Sequence, residues 1–428
     1  MDLYEIEGGI PLNGEVRIQG SKNAVLPMMA ASVLQRGCVC FRGCPDIADV
    51  RCMEQILQSI GAKVWRLSED LYVDCKEIDT GVIPGAYADK MRSSIVLMGA
   101  LLGRMGSISV GRPGGCTIGE RPIDLHLSVL EALGVVLEVE DGVIYGHAER
   151  IRGGHYRFPK RSVGATENGI MAAVRAEGVT VLENCAREPE IIHLCHFLKA
   201  MGARIEGEGG NQICIEGVDC LHEVCFDVPA DRIVAGTYLL AGAITRGCIC
   251  LDHAPVEEMQ ALLAVYVKMG GQYEVNSGKL IADSRRLRYP IPYLRTEEYP
   301  GFPTDLQSPL LALCATVEGE SRIEETIFED RYKAVSQMKN MGADIRIEEK
   351  TAVIYGRKLH GAMVNAQELR GGAALVLAGL SAKGVTKIGD ICHIERGYQD
   401  ICGDICSLGG KISRRMNEVY ESVFQNRA

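Results

Sequence analysis

The 428-residue sequence predicts an α/β protein, a two-domain inside-out α/β barrel in which six repeated units of about 70 residues wrap sheets around buried helices. Three observations predict it. First, an apolar helix closing on Met, Leu or Ile followed by glycine recurs as QSIGAKV, EALGVVL, KAMGARI, VKMGGQY, KNMGADI and CSLGGKI, with glycines at Gly61, Gly134, Gly202, Gly270, Gly342 and Gly409. Second, each of these follows another signature, a helix ending on glycine and then a β-rich run: LQRGCVCF, LGRMGSISV, RAEGVTVL, ITRGCICL, TVEGESRI and SAKGVTKI. Third, the helices ahead of that signature, such as AVLPMMAASVL and GTYLLAGAI, are apolar nearly all round and need burial on every side.

Each unit thus reads as helix, glycine cap, strand, second helix, glycine cap and further strands. The glycine after each helix suits the left-handed backbone that ends helices. Runs such as IYGHAE, QICIEG and AVIYGRK supply strands. Second helices such as DRYKAVSQMKNMG carry a polar face. Six units divide into two domains of three. Residues 20–229 form the first and carry a glycine-rich loop around Cys116, while 1–19 plus 230–428 form the second. The boundary falls near DVPADR, and the N-terminal run YEIEGGIPLNGEVRI is expected to complete the last unit, so that the chain crosses twice. The tail from about Arg414 is expected to lie past the last repeat.

Composition narrows the function. At 47% apolar residues and a net charge of -10, the chain is a poor partner for nucleic acid or an anionic membrane, so any cationic site must be local. No apolar run reaches the roughly 20 residues of a membrane span, and MDLYEIEGGIPLNG lacks the marks of a signal peptide. The expected compartment is the cytoplasm, where the seventeen cysteines are reduced. Cys38, Cys40, Cys44, Cys402 and Cys406 read as core positions. In HLCHF, His193 and His196 with Cys195 offer too few ligands on one face for a metal. No phosphate-loop or dinucleotide fingerprint occurs in a strand–helix context, so neither metal nor cofactor is expected.

Charged or hydroxyl residues recur at the start of each apolar helix. Lys22, Arg92, Ser162, Asp231, Asp305 and Arg370 each stand 14 to 16 residues ahead of the closing glycine. Helix N-termini attract anions. Lys22, Arg92 and Arg370 are unfavourable there unless an anion joins them. The pattern predicts helix tips converging on a cleft between domains that holds a ligand with several negative charges.

The segments GSKNAVLP (20–27), GGCTIGERPIDLH (114–126), KRSVGATEN (160–168), FPTDLQSP (302–309), ELRGGAALVLAGL (368–380) and HIERGYQDI (393–401) resemble the UDP-N-acetylglucosamine 1-carboxyvinyltransferase family, over essentially the whole chain. The resemblance implies transfer of the enolpyruvyl group of phosphoenolpyruvate to the 3′-hydroxyl of UDP-N-acetylglucosamine, with release of phosphate, opening peptidoglycan synthesis. It implies two small-molecule partners and makes Cys116 the proton donor on a lid, open to alkylation by fosfomycin, with Asp305 the base. Lys22 and Asn23 would bind phosphoenolpyruvate, and Arg92, Arg121, Arg370 and Arg396 would add charge around it. Arg121, Pro122, Ile123, Asp124 and Leu125 would hold uracil, and Lys160, Arg161, Ser162, Val163 and Gly164 the diphosphate and sugar. Ile327 would pack on the nucleotide. Two departures stand out: Glu368 replaces the family's usual Asp, and Glu120 sits beside Arg121. They keep in view a non-catalytic paralogue that binds the nucleotide sugar. The sister enzyme acting on shikimate 3-phosphate is the nearer rival, disfavoured by Cys116 and RPIDLH.

Overall fold

A computed structural model describes residues 2–85, 92–111, 119 and 122–416. The chain forms two compact units, one mainly from the chain up to Ile18 and from Ala230 onward, the other from most of the chain between Gln19 and Pro229. Each has its own apolar core.

Among the described residues six four-stranded sheets share one plan. In the sheet of Val82–Ile83, Ser107–Gly111, Val143–His147 and Val136–Glu140, the short edge strand runs parallel to its neighbour and the other pairings are antiparallel. The parallel pair brackets a buried helix and the antiparallel pair is a hairpin. A tight turn at Asp141 and Gly142, both with positive φ, closes that hairpin.

The first and fourth of the six repeats exchange their edge strands. Asn13–Arg17 precedes the helix Lys22–Ser32 in the chain, yet it pairs in parallel with Cys248–Asp252. Val224–Asp227 precedes the helix Arg232–Ile244, yet pairs with Cys38–Arg42. The expectation that the whole N-terminal run completes the last unit therefore needs correction. Only Asp2–Glu7 does so, between Val385–Gly389 and Lys411–Met416. Gly8, Gly9 (φ 84°) and Pro11 then break the strand and free Asn13–Arg17 to join another sheet. Arg414 is likewise not past the last repeat: it sits in strand Lys411–Met416 opposite Tyr4, because Asp2–Glu7 needs a second neighbour.

The first helices are buried as their composition requires. All thirteen residues of Arg232–Ile244 are buried, and this helix packs with Gln307–Cys314 and Leu369–Ser381. In the other unit Leu97–Met105 packs against both Lys22–Ser32 and Val163–Ala173. All six glycines that close the second helices have positive φ, as at Gly61 (103°) and Gly342 (91°). Among the first set, Gly37 and Gly247 do not. At Gly247 the left-handed turn falls one residue earlier, on Arg246 (φ 57°), and the glycine serves instead for close approach: a Cβ would overlap the Leu12 carbonyl. The cysteines also divide: Cys40 and Cys44 are buried, Cys38 and Cys402 half-buried, and Cys406 is exposed on the solvent side of Ile401–Ser407.

Replacing Gly247 by Ala should lower the free energy of unfolding by on the order of 1–3 kcal/mol, read as a lower urea midpoint, since backbone rather than a flexible side chain must yield. An unchanged midpoint would contradict the close approach.

Candidate active site

Asp305 is expected from the sequence at the very start of its buried helix. It lies in a 3-10 turn, Thr304–Leu306, ahead of Gln307–Cys314, and its carboxylate faces two buried guanidinium groups. Arg331 Nη2 donates to Asp305 Oδ1, and Arg370 Nη2 to Oδ2 at 2.9 Å. Burial works against the Arg370 charge, yet Asp305, with Tyr398 and Asp231, raises its pKa above the ordinary value. The Tyr398 hydroxyl lies 2.8 Å from Thr237 Oγ1. The Asp305 carboxylate is 27% exposed while both arginines are nearly inaccessible, so an incoming group reaches the carboxylate first.

Glu368 is the N-cap of Leu369–Ser381. Its carboxylate accepts from Arg370 N at 2.7 Å and from Gly371 N, and Oε2 stands 3.9 Å from Arg331 Nη1. The methylene that Glu adds over Asp is absorbed by folding the side chain back onto the first turn. Glu325, itself buried, accepts from Thr296, Thr304, Ile327 N (2.8 Å) and Phe328 N. That anchor fixes the turn on which Ile327 holds an exposed apolar side chain, 36% accessible. Arg396 is half-buried after the 3-10 turn Ile391–His393.

In the other unit Ser21 caps Lys22–Ser32, and Lys22 Nζ lies 3.2 Å from Asp49 Oδ2, both side chains largely buried. A cation at a helix start needs an anion, and the helix pattern points to a ligand as its source. The structure corrects it: Asp49 and Asp305 already supply carboxylates to Lys22 and Arg370. Asn23 is half-buried beside Lys22. Ser162 caps Val163–Ala173 by accepting from Ala165 N, with Val163 and Gly164 in its first turn; Lys160 is exposed, and Arg161 reaches Asn211 at 3.3 Å. Ile123 is the N-cap of Asp124–Ala132, with Pro122 and Asp124 exposed and Leu125 buried.

Asn168 ties these segments together. Its Oδ1 accepts from Gly99 N (2.7 Å), so its amide donates to the Ile95 carbonyl and to His126 Nδ1 at 2.8 Å. His126 Nδ1 is then an acceptor, and the ring packs over Gly164, where a Cβ would collide with it. The RPIDLH and KRSVGATEN segments are thus locked to one another. His126 and Asn168 carry no assigned role in the sequence, although as polar residues inside apolar helices they were a signal available there. Arg331, in a charged stretch without periodicity, offered none. Cys116, Arg121, Arg112 and Glu120 lie outside the described residues, as does the side chain of Arg92. Among the described residues no group of three metal-ligating side chains occurs.

Residues 6–405 match the family model for EPSP synthase (3-phosphoshikimate 1-carboxyvinyltransferase). The chain belongs to this family of enolpyruvyl transferases, on the side of the UDP-N-acetylglucosamine 1-carboxyvinyltransferases. UDP-N-acetylglucosamine 1-carboxyvinyltransferase 2 of Caldanaerobacter subterraneus subsp. tengcongensis is 43% identical over 417 residues, covering 97% of this chain and 100% of the relative. The UDP-N-acetylglucosamine 1-carboxyvinyltransferase of Nitratidesulfovibrio vulgaris strain Hildenborough is 41% identical over 415 residues, 97% and 99% of the two chains. Among solved structures, the enolpyruvyl transferase NikO from Streptomyces tendae superposes with a TM-score of 0.85 at 24% identity, over 97% of this chain and 99% of that one. EPSP synthase from Acinetobacter baumannii gives 0.73 at 17% identity, over 97% and 100%. These structures share the α/β fold expected from the repeats.

Glu167, inside the KRSVGATEN segment, is pushed up to about 8 by burial and then by Glu190 and Glu188. An unfolded chain releases this proton near the ordinary 4.5, whereas the folded one holds it to about 8. Its contribution to stability is therefore full below the ordinary value and is lost as pH rises through about 8. Glu167→Gln should flatten that loss in thermal melts taken from pH 4 to 9; parallel profiles for the two proteins would refute the assignment.

Proposed function

We propose that this protein transfers the enolpyruvyl group of phosphoenolpyruvate to the 3′-hydroxyl of UDP-N-acetylglucosamine, as a cytoplasmic enzyme at the committed step of peptidoglycan synthesis. The observation that carries the reading is the partly exposed Asp305 carboxylate set against the buried Arg331 and Arg370. The full-length identity to relatives bearing that activity's name supports it.

The chemistry follows from the residues. The Cys116 thiol gives its proton to carbon 3 of the donor while the 3′-oxygen bonds to carbon 2, and Asp305 takes the hydroxyl proton. The resulting tetrahedral ketal loses a carbon-3 proton and expels phosphate, restoring the enol ether. One proton donor and one acceptor are needed, with cations for a carboxylate and a phosphate. Lys22, Arg92, Arg121, Arg370 and Arg396 serve as those cations. Arginine suits them because its planar fork pairs with two oxygens at once. When the donor arrives, Arg370 exchanges Asp305 for a substrate oxygen, which frees the carboxylate to act as a base.

The nucleotide sugar rests on residues 121–125 and 160–164, with Ile327 against the nucleotide. Glu325 anchors the turn of Ile327, and His126 with Asn168 fixes the relation of the two segments. The family resemblance assigns residues of both domains to the reaction, so either domain expressed alone is expected to be inactive.

Purified protein given phosphoenolpyruvate and UDP-N-acetylglucosamine should release phosphate. Release with shikimate 3-phosphate instead would move the reading to the sister activity, and nucleotide binding without turnover would make the protein a sensor. Cys116→Ala should remove turnover or nearly so, and Asp305→Asn should lower kcat by about 10²-fold or more, the range for a lost general base. Full activity in either variant would remove the assigned role.

A further inference from the structure

One sheet carries an unusual row across its outer face. Its strands lie in the order Val224–Asp227, Cys38–Arg42, Asp70–Asp74 and Lys63–Leu67. Cys225 is the direct partner of Cys40, Cys40 of Tyr72, and Tyr72 of Trp65. Val39 and Phe41, which alternate with Cys40, are wholly buried in the core, so Cys40 points the opposite way, with Cys225 exposed beside it. Trp65, the one tryptophan of the chain, stacks on Tyr72 with ring centroids 5.4 Å apart and planes 7° from parallel.

We propose that Cys40 and Cys225 form an oxidisable dithiol on this sheet, a modification site that closes to a disulfide with a hydroperoxide as the oxidant. Adjacent strands stand about 4.8 Å apart, inside the Cα separation of roughly 4.4–6.8 Å that a disulfide spans. Val224–Asp227 is an edge strand held from one side only, which leaves it room to adjust. Burial, and then the Cys225 thiol, push Cys40 up to about 11, which leaves the exposed Cys225 to react first.

The Cys225 thiolate attacks one peroxide oxygen. A sulfur–oxygen bond forms, the oxygen–oxygen bond breaks, and hydroxide leaves and takes up the thiol proton as water. Cys40 sulfur then attacks the Cys225 sulfenic sulfur. The sulfur–sulfur bond forms, the sulfur–oxygen bond breaks, and the departing hydroxide carries off the Cys40 proton as a second water. Two electrons pass from the thiols to the peroxide, and a small thiol reductant reverses the change.

The site is separate from the proposed chemistry, and its test reads mass rather than turnover. Full-length protein is treated with a small excess of hydrogen peroxide, capped with N-ethylmaleimide and digested without reductant. The expected product is a Cys40–Cys225 linked peptide, lighter by about 2 Da than the two free peptides and lost on adding dithiothreitol. Cys225→Ser should leave Cys40 fully alkylated while phosphoenolpyruvate turnover stays at the wild-type rate. The proposal is overturned if Cys225 goes on to sulfinic acid with Cys40 still alkylated. It is overturned equally if neither thiol is oxidised at peroxide levels that oxidise the isolated, exposed Cys392 and Cys220.

Discussion

A helix that is apolar on every side must be covered on every side, and the rest of this fold depends on that constraint. One amphipathic helix can lie on a sheet, but Arg232–Ile244 buries all thirteen residues and cannot. Each unit meets the demand by packing three such helices against one another and laying three sheets around them. A fully buried Leu or Ile contributes about 1.5–3 kcal/mol, so the helix bodies tolerate few polar residues. Those that do sit inside, such as Asn168, are tied by hydrogen bonds to several elements at once.

Polar chemistry is thereby pushed to the helix starts, where it carries its own cost. A guanidinium as inaccessible as Arg370 would be strongly destabilising without a counter-charge. The structure answers with carboxylates of the same unit, Asp305 for Arg370 and Arg331, and Asp49 for Lys22. The cations are charged and held in place before any ligand arrives. A substrate anion has to compete for them, and in doing so it changes the surroundings of the carboxylate it displaces. In the proposed reaction, binding and activation of the base would be coupled through the shared Arg370.

The repeats, the buried helices and the glycine caps were readable because they follow from periodicity and from backbone geometry, which neighbouring residues dictate. Gly61 and Gly342 adopt the left-handed backbone that their place after a helix implies. The exchange of edge strands was not readable: nothing within EGGIPLNGEVRI says which sheet will receive Asn13–Arg17, because that depends on a partner more than 230 residues away. At the site, Lys22 and Arg370 stood out by position, whereas Arg331 and Asp49 did not. A counter-charge reaches its partner through the fold, and sequence spacing carries no trace of it. Cys40 is instructive in another way: it is buried, as its apolar neighbours suggested, yet strand alternation sets it on the face opposite Val39 and Phe41, beside Cys225.

In the proposed mechanism the donor takes Arg370 away from Asp305 and so makes that carboxylate a stronger base. Carbon-13 NMR of aspartate-labelled protein, with the Asp305 resonance assigned by difference against Asp305→Asn, measures this directly when pH is titrated with and without phosphoenolpyruvate and no acceptor. The account predicts that the Asp305 midpoint moves to higher pH once the donor is bound. A midpoint that stays in place, or falls, would contradict it.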